Sequence, residues 1–193
     1  MSDIYQRIYD RKRMAAAEAM SLIENGDFIC VPTGVGEPPT LLTALSEQRR
    51  NFHGVTVGQI LPLRKYAYID PETVDHVRHL AFFFGGATRP GGNEGWIDYL
   101  PSYFSEMPSL IRNRQLRVDA VFSMASPMDE HGFFALSLAT DYTMAAVSMA
   151  RAVILEVNPN VPFTNGNCHV HISQVAGLVE SEEPILEVSL PKI

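Results

Sequence analysis

Five short apolar runs recur along the chain: DFICVP at 27–32, VTVGQILPL at 55–63, LAFFFGG at 80–86, RVDAVFSMAS at 117–126 and VILEVN at 153–158. They are apolar almost throughout, so each is read as a strand covered on both faces. The intervals between them are long enough for a helix and its turns, which a crossover between parallel strands requires. Together these features predict an α/β protein: a mostly parallel sheet with helices on both faces. At 193 residues the chain has the length of one domain, and 1–193 is read as a single unit. Pro and Gly are spread along it, and no linker, repeat or low-complexity segment divides it.

The intervening segments fill in the pattern. Residues 4–24 carry apolar side chains every three to four positions, a helical spacing that Asn25-Gly26 stops. A second helix is expected from Pro39 to about Arg50, and a short one over 70–80, begun by Asp70-Pro71. Residues 88–96 read as loop or a helix start, and 101–115 as helical pieces punctuated by Pro101 and Pro108. A further strand is expected at 133–139, a helix at 141–152, and weak strands at 170–173 and 186–190. Residues 177–193 lose helical patterning and read as a domain edge and the start of a connector toward an absent second domain.

Composition narrows the function. Fifteen basic against 22 acidic residues leave a net charge of −7, so the surface offers no bulk attraction to nucleic acid. With 46% apolar and 19% charged residues, a chain disordered throughout is ruled out. Cys30 and Cys168 make no disulfide framework and read as reduced thiols. No run approaches the ~18–20 apolar residues of a membrane span. The N-terminus lacks an apolar h-region and carries Asp3, Asp10 and Glu18, unlike a secretory or transit signal. A cytoplasmic protein is expected, with no membrane or nucleic-acid partner.

The loop Thr33-Gly34-Val35-Gly36-Glu37-Pro38 follows a strand and precedes a helix, where parallel α/β sheets place ligands. Its glycines permit close backbone approach, but it matches neither the P-loop nor the full dinucleotide fingerprint. By shape alone it reads as a tight structural turn or as a ligand loop. Ser126 to Gly132 carries Asp129, Glu130 and His131, a set able to do acid–base work, although a surface turn has the same composition. His169 and His171 share one face of a possible strand, without the spacing of a metal site, and no metal is expected. Glu24-Asn25-Gly26 reads as a helix C-cap, and no nucleophile elbow is present.

Six segments in order carry a resemblance: AEAMSLIENGD, TGVGEPPTLLTAL, VRHLAFFFGG, NEGWIDYLPSYFSEMP, SPMDEHGFFALSLATDYT and EVNPNVPFTNG. Taken together, the chain resembles the N-terminal half of the acetyl-CoA hydrolase/transferase family, the group containing 4-hydroxybutyrate CoA-transferases. The resemblance implies a domain of the NagB/RpiA/CoA-transferase type and two related α/β domains in the full enzyme. It also implies exchange of CoA between an acyl-CoA and a small carboxylic acid through a glutamate of the second half, a form of covalent catalysis. Nothing in 1–193 matches that glutamate, so the isolated chain is expected to be inactive and to need a second-half domain or subunit. No permanently bound cofactor is implied; CoA esters are substrates, and a homo-oligomer is expected. The implied substrate-binding residues are Thr33, Gly34, Gly36 and Glu37, with Gln59 and with Asn93, Glu94 and Gly95; no catalytic residue is assigned. Pro32-Thr33 stands where many relatives have Gly-Thr or Gly-His. The competing expectations are a CoA-ester hydrolase of the same fold and a non-catalytic binding or regulatory module.

Overall fold

The computed structural model describes residues 3–188. Its strands are β1 (Phe28–Cys30), β2 (Val55–Gln59), β3 (Val77–Ala81), β4 (Asp98–Tyr99), β5 (Ala120–Ala125), β6 (Phe133–Ala135), β7 (Ala152–Val157), β8 (His169–His171) and β9 (Gly177–Glu180). Seven of them form one sheet in the order β4-β3-β2-β1-β5-β7-β9, and every neighbouring pair is parallel. β6 and β8 form a separate antiparallel pair, with Phe134 opposite Val170. The helices are α1 (Asp3–Lys12), α2 (Ala16–Ala19), α3 (Pro39–Gln48), α4 (Arg89–Glu94), α5 (Met107–Arg112) and α6 (Thr143–Met149).

Both faces of the sheet are covered, and the period of two in each strand sorts its residues between two cores. Phe28 and Cys30 of β1 join Val121, Val153 and Leu155 in one core, closed by Met107 and Ile111 of α5, Ala145 and Ala146 of α6, and Tyr9 of α1. Ile29 and Val31 join Val57, Phe122 and Ile154 in the other, closed by Leu41, Leu42 and Leu45 of α3. This is why the strands carry no polar stripe.

Several boundaries differ from the sequence reading. The helix expected over 4–24 breaks after Lys12. Arg13 instead forms a parallel bridge with Leu178, and the Met14 amide donates to the Leu178 carbonyl at 2.9 Å, so the chain runs along the outer edge of β9 before α2 begins. The helix expected over 70–80 is a single 3-10 turn at Pro71–Thr73, capped by Asp70, whose Oδ1 accepts the Glu72 amide at 2.9 Å. Beyond it the Asp75 and His76 carbonyls accept the Gly54 and Val55 amides, which draws the chain into β3. The strand placed at 80–86 therefore lies three residues earlier. His79, read as helical, is a buried strand residue whose ring nitrogens have no hydrogen-bond partner among the described residues; burial pushes it down to about 3. The strand expected at 133–139 stops at Ala135, where a 3-10 turn over Ser137–Ala139 follows. The segment read as a connector from 177 begins with β9, whose Gly177–Val179 are buried. Residues 186–188 are not in a strand, and the rest of that expected strand lies outside the described residues.

Candidate active site

The strand order reverses at β1. From there the chain builds outward through β2, β3 and β4, then returns to β1's other edge with β5. In open α/β sheets ligands sit in the crevice beyond the carboxyl ends at such a switch point. Here the loop following β1 is Thr33–Pro38. It turns through Gly34, at φ +57°, and a 3-10 turn over Gly34–Gly36, and Pro39 then starts α3.

Two carboxylates, the half-buried Asp141 and the buried Glu37, hold the loop on two sides. Asp141 accepts the Thr33 amide on Oδ2 at 2.8 Å, while its Oδ1 accepts the Thr143 amide at 2.8 Å and the Thr143 hydroxyl at 2.5 Å, fixing the start of α6. Glu37 is 1% exposed. Its Oε1 accepts the Tyr66 hydroxyl at 3.0 Å, and its Oε2 accepts Gln59 Nε2 and the Leu63 amide, both at 3.1 Å. Gln59 Nε2 also donates to the Pro32 carbonyl at 3.0 Å, leaving Gln59 Oε1 buried without a hydrogen-bond partner among the described residues. Between the two carboxylates Tyr142 donates to the Val31 carbonyl at 2.6 Å and accepts the Ile60 amide at 3.3 Å. The Gly34 amide donates to the Leu61 carbonyl at 3.0 Å. The loops after β1 and β2 and the segment entering α6 are thus tied into one rigid rim.

Burial pushes Glu37 and Asp141 above the usual carboxylate range, only partly offset by the donors aimed at them. Tyr66, beside Glu37, and the buried Tyr142 are raised as well, so neither phenol ionises near neutrality. Glu37, saturated by three donors and shut from solvent, is a strut. The half-buried part of the loop is Thr33, Gly34 and Val35. The two glycines differ: a Cβ on Gly34 would meet open space, whereas one on Gly36 would lie 2.9 Å from the Leu138 carbonyl oxygen.

Thr33, Gly34, Gly36, Glu37 and Gln59 therefore come together. Asn93, Glu94 and Gly95 lie at the exposed C-terminal end of α4. Gly95 is its left-handed cap at φ +81°, and Glu94 Oε2 accepts Trp96 Nε1 at 3.0 Å. Among the described residues no hydrogen bond or ring contact links these three to the Thr33–Glu37 loop. In the turn after β5, Asp129 Oδ1 accepts the His131 and Phe133 amides, which builds the turn, while His131 is exposed beside Glu130. His169 Nε2 bonds the Thr164 carbonyl oxygen and His171 Nδ1 the Ser173 hydroxyl, each at 2.8 Å. Glu24-Asn25-Gly26 leads into β1 at the opposite, amino end of the sheet, with Gly26 at φ +79°. Sequence reading missed Asp141, Tyr142 and Tyr66 as rim residues. Asp141 had a signal, a polar residue at a helix start, but that signal points only to its bond with Thr143.

A family model described as the acetyl-CoA hydrolase/transferase N-terminal domain matches residues 2–188. The chain is 38% identical over 189 residues to the succinyl-CoA:cyclohexane-1-carboxylate CoA transferase of Geobacter metallireducens, covering 98% of this chain and 43% of that protein. It is 36% identical to the 4-hydroxybutyrate coenzyme A transferase of Clostridium kluyveri, covering 98% and 44%. Among solved structures, RipA from Yersinia pestis matches with a TM-score of 0.90 at 28% identity, over 100% of this chain and 47% of that one. The 4-hydroxybutyrate CoA-transferase of Porphyromonas gingivalis matches with a TM-score of 0.81 at 26% identity, over 95% and 43%. The chain thus spans less than half the length of these proteins.

Proposed function

The chain belongs to the acetyl-CoA hydrolase/transferase family, as a copy of its N-terminal domain, and from that premise we propose that it is the first half of an acyl-CoA:carboxylate CoA-transferase. The observation that carries this reading is the rigid rim around Thr33–Glu37 at the sheet's switch point, in a chain whose curated relatives are named CoA transferases. The partner half supplies the glutamate nucleophile. Its carboxylate oxygen attacks the acyl-CoA carbonyl; the new C–O bond forms, the C–S bond breaks, and an acyl-glutamyl anhydride and CoA thiolate result. The thiolate attacks the glutamyl carbonyl and releases the donor acid, leaving a glutamyl-CoA thioester. The acceptor carboxylate then displaces thiolate from that thioester, and the thiolate takes the new acyl group, restoring the glutamate.

In this scheme Thr33, Gly34 and Val35 form the wall on the side of the small carboxylic acid. Gly34 lets the substrate approach the backbone closely, because no side chain fills the open space beside it. Glu37, Gln59, Asp141 and Tyr142 touch no substrate; they fix the wall so that the reacting groups meet in a narrow range of geometries. No resident cofactor takes part, and the CoA ester itself is a substrate.

The test joins this chain to a second half and supplies acyl-CoA with and without acetate. A new CoA ester that appears only with the acid supports the transferase reading. Free thiol released at the same rate with or without acid would make the protein a hydrolase.

A further inference from the structure

On the amino-end face of the sheet, opposite the crevice, α5 and α6 return the chain to β5 and β7. A groove of about 380 Å³ opens there, within the ~300–1,000 Å³ range of small-molecule sites. Its floor is apolar: Ile111 and Val118 are buried, Leu116 and Met149 half-buried. Arg114 and Arg117, both exposed, complete the lining.

Arg114 is held in an unusual backbone conformation. After α5 the Arg114 amide donates to the Ile111 carbonyl at 3.0 Å, and the Gln115 and Leu116 amides donate to the Leu110 carbonyl at 2.9 and 3.0 Å. This reversal sets Arg114 at φ +58°. Glycine takes that left-handed conformation freely at a helix end, whereas a residue with a Cβ is strained in it. The helix end does not call for an arginine at this position, because Arg112 already places a cation in the last turn of α5. Among the described residues the Arg114 side chain has no hydrogen bond or ion pair. A strained backbone kept beneath a side chain that bonds nothing in its own chain points to a function for that side chain. The charge is also defined. Arg117 Nε donates to Asp119 Oδ1 at 2.7 Å, so one of the two guanidiniums is balanced and the groove keeps a single positive charge over its apolar floor.

We propose that this groove binds a monocarboxylate with an apolar body. The planar fork of Arg114 takes the carboxylate, with Arg117 flanking it, and the alkyl or ring portion lies over Leu116 and Met149. One negative charge matches the one the groove leaves unbalanced, and an apolar body covers the floor that a bare ion would leave wet. The groove lies on the opposite face from the Thr33–Glu37 rim, and the proposal does not rest on the reading of that rim.

The test titrates octanoate into the 193-residue chain and follows the Met149 methyl by NMR. The signal is expected to move along a saturable curve. Arg114→Gly and Arg114→Gln should each weaken binding about tenfold, the ordinary loss for a hydrogen bond to a charged group. Arg114→Gly also relieves the strain and should melt about 2–4 °C above the parent, so its loss of binding is not a folding defect. The absence of a saturable shift up to about 10 mM, well above a millimolar Kd, overturns the proposal. So does a shift that both variants leave unchanged, which would assign octanoate to another part of the chain. Tighter binding of 1-octanol or octyl phosphate than of octanoate overturns the carboxylate assignment. A lower melting temperature for Arg114→Gly would show that the arginine is kept for stability, and counts against the site.

Discussion

Glu37 sits where a substrate contact is expected from its place in the loop, yet its carboxylate is turned inward and bonded to Tyr66, Gln59 and Leu63. Tyr66→Phe removes one donor from a buried carboxylate and should lower stability by about 1–3 kcal/mol, read by denaturant titration. The pH dependence has a definite sign. Glu37, Asp141 and Glu156 are all raised by burial, so between the ordinary carboxylate value and their own the folded state holds more protons than the unfolded one. Their contribution to stability is therefore full below that window and declines as pH rises through it. The Tyr66→Phe defect should be larger at pH 8 than at pH 5; an equal defect would mean that Glu37 does not titrate there. The glycines separate in the same way. Gly34→Ala places a methyl in open space at a positive φ, costing about 1–2 kcal/mol. Gly36→Ala presses on the Leu138 carbonyl and should melt at a lower temperature than Gly34→Ala in thermal denaturation. The Gly-x-Gly pattern is legible as a special loop, but which glycine faces the crevice is decided by the 137–139 turn, a hundred residues away, and no local signal carries that.

Among the elements, α3 shows how one strand anchors a helix across the sheet. Glu156 of β7 accepts the Thr40 and Leu41 amides on Oε2 and the Thr40 hydroxyl on Oε1. A carboxylate there satisfies orphan donors and complements the positive end of the helix. Glu156→Ala should cost about 2 kcal/mol and speed hydrogen exchange at the Thr40 and Leu41 amides while leaving that of β5 unchanged. In the sequence Glu156 is only a polar interruption in VILEVN, and nothing nearby tells of its partner. The five apolar runs, by contrast, each hold or overlap a strand, because burial on both faces leaves a mark on every residue of the run. The readings fail where a short element takes its state from neighbours. VDHVRHL has helical spacing, but β2's first amides claim its carbonyls and pull it into the sheet. β9 has only four residues, one of them glycine, and its sequence alone reads as connector.

For the whole molecule, the 193-residue chain alone is expected to give a cooperative thermal transition and to transfer no CoA from acyl-CoA to acetate. Turnover by the purified chain would place a nucleophile at one of the glutamates Glu94, Glu106 or Glu130, all exposed, since Glu37 is shut away from solvent. The parallel sheet with two covered faces was legible from the apolar runs, and the family from six ordered segments. The Phe82-Phe83-Phe84 run reads in the sequence either as core or as surface meant for a missing half, and the structure divides it: Phe82 is buried, Phe83 exposed and Phe84 half-buried. The reversal of strand order at β1 also sets a schedule for the nascent chain. β1 pairs on one side with β2, which is synthesised soon after it, but its other edge waits for β5, about 90 residues later. At ~5–20 residues per second that edge stays bare for roughly 5–20 s. Ribosome-bound intermediates ending before Ala125 therefore present an unpaired, fully apolar strand to chaperones, and arrest in that interval exposes the chain most to aggregation.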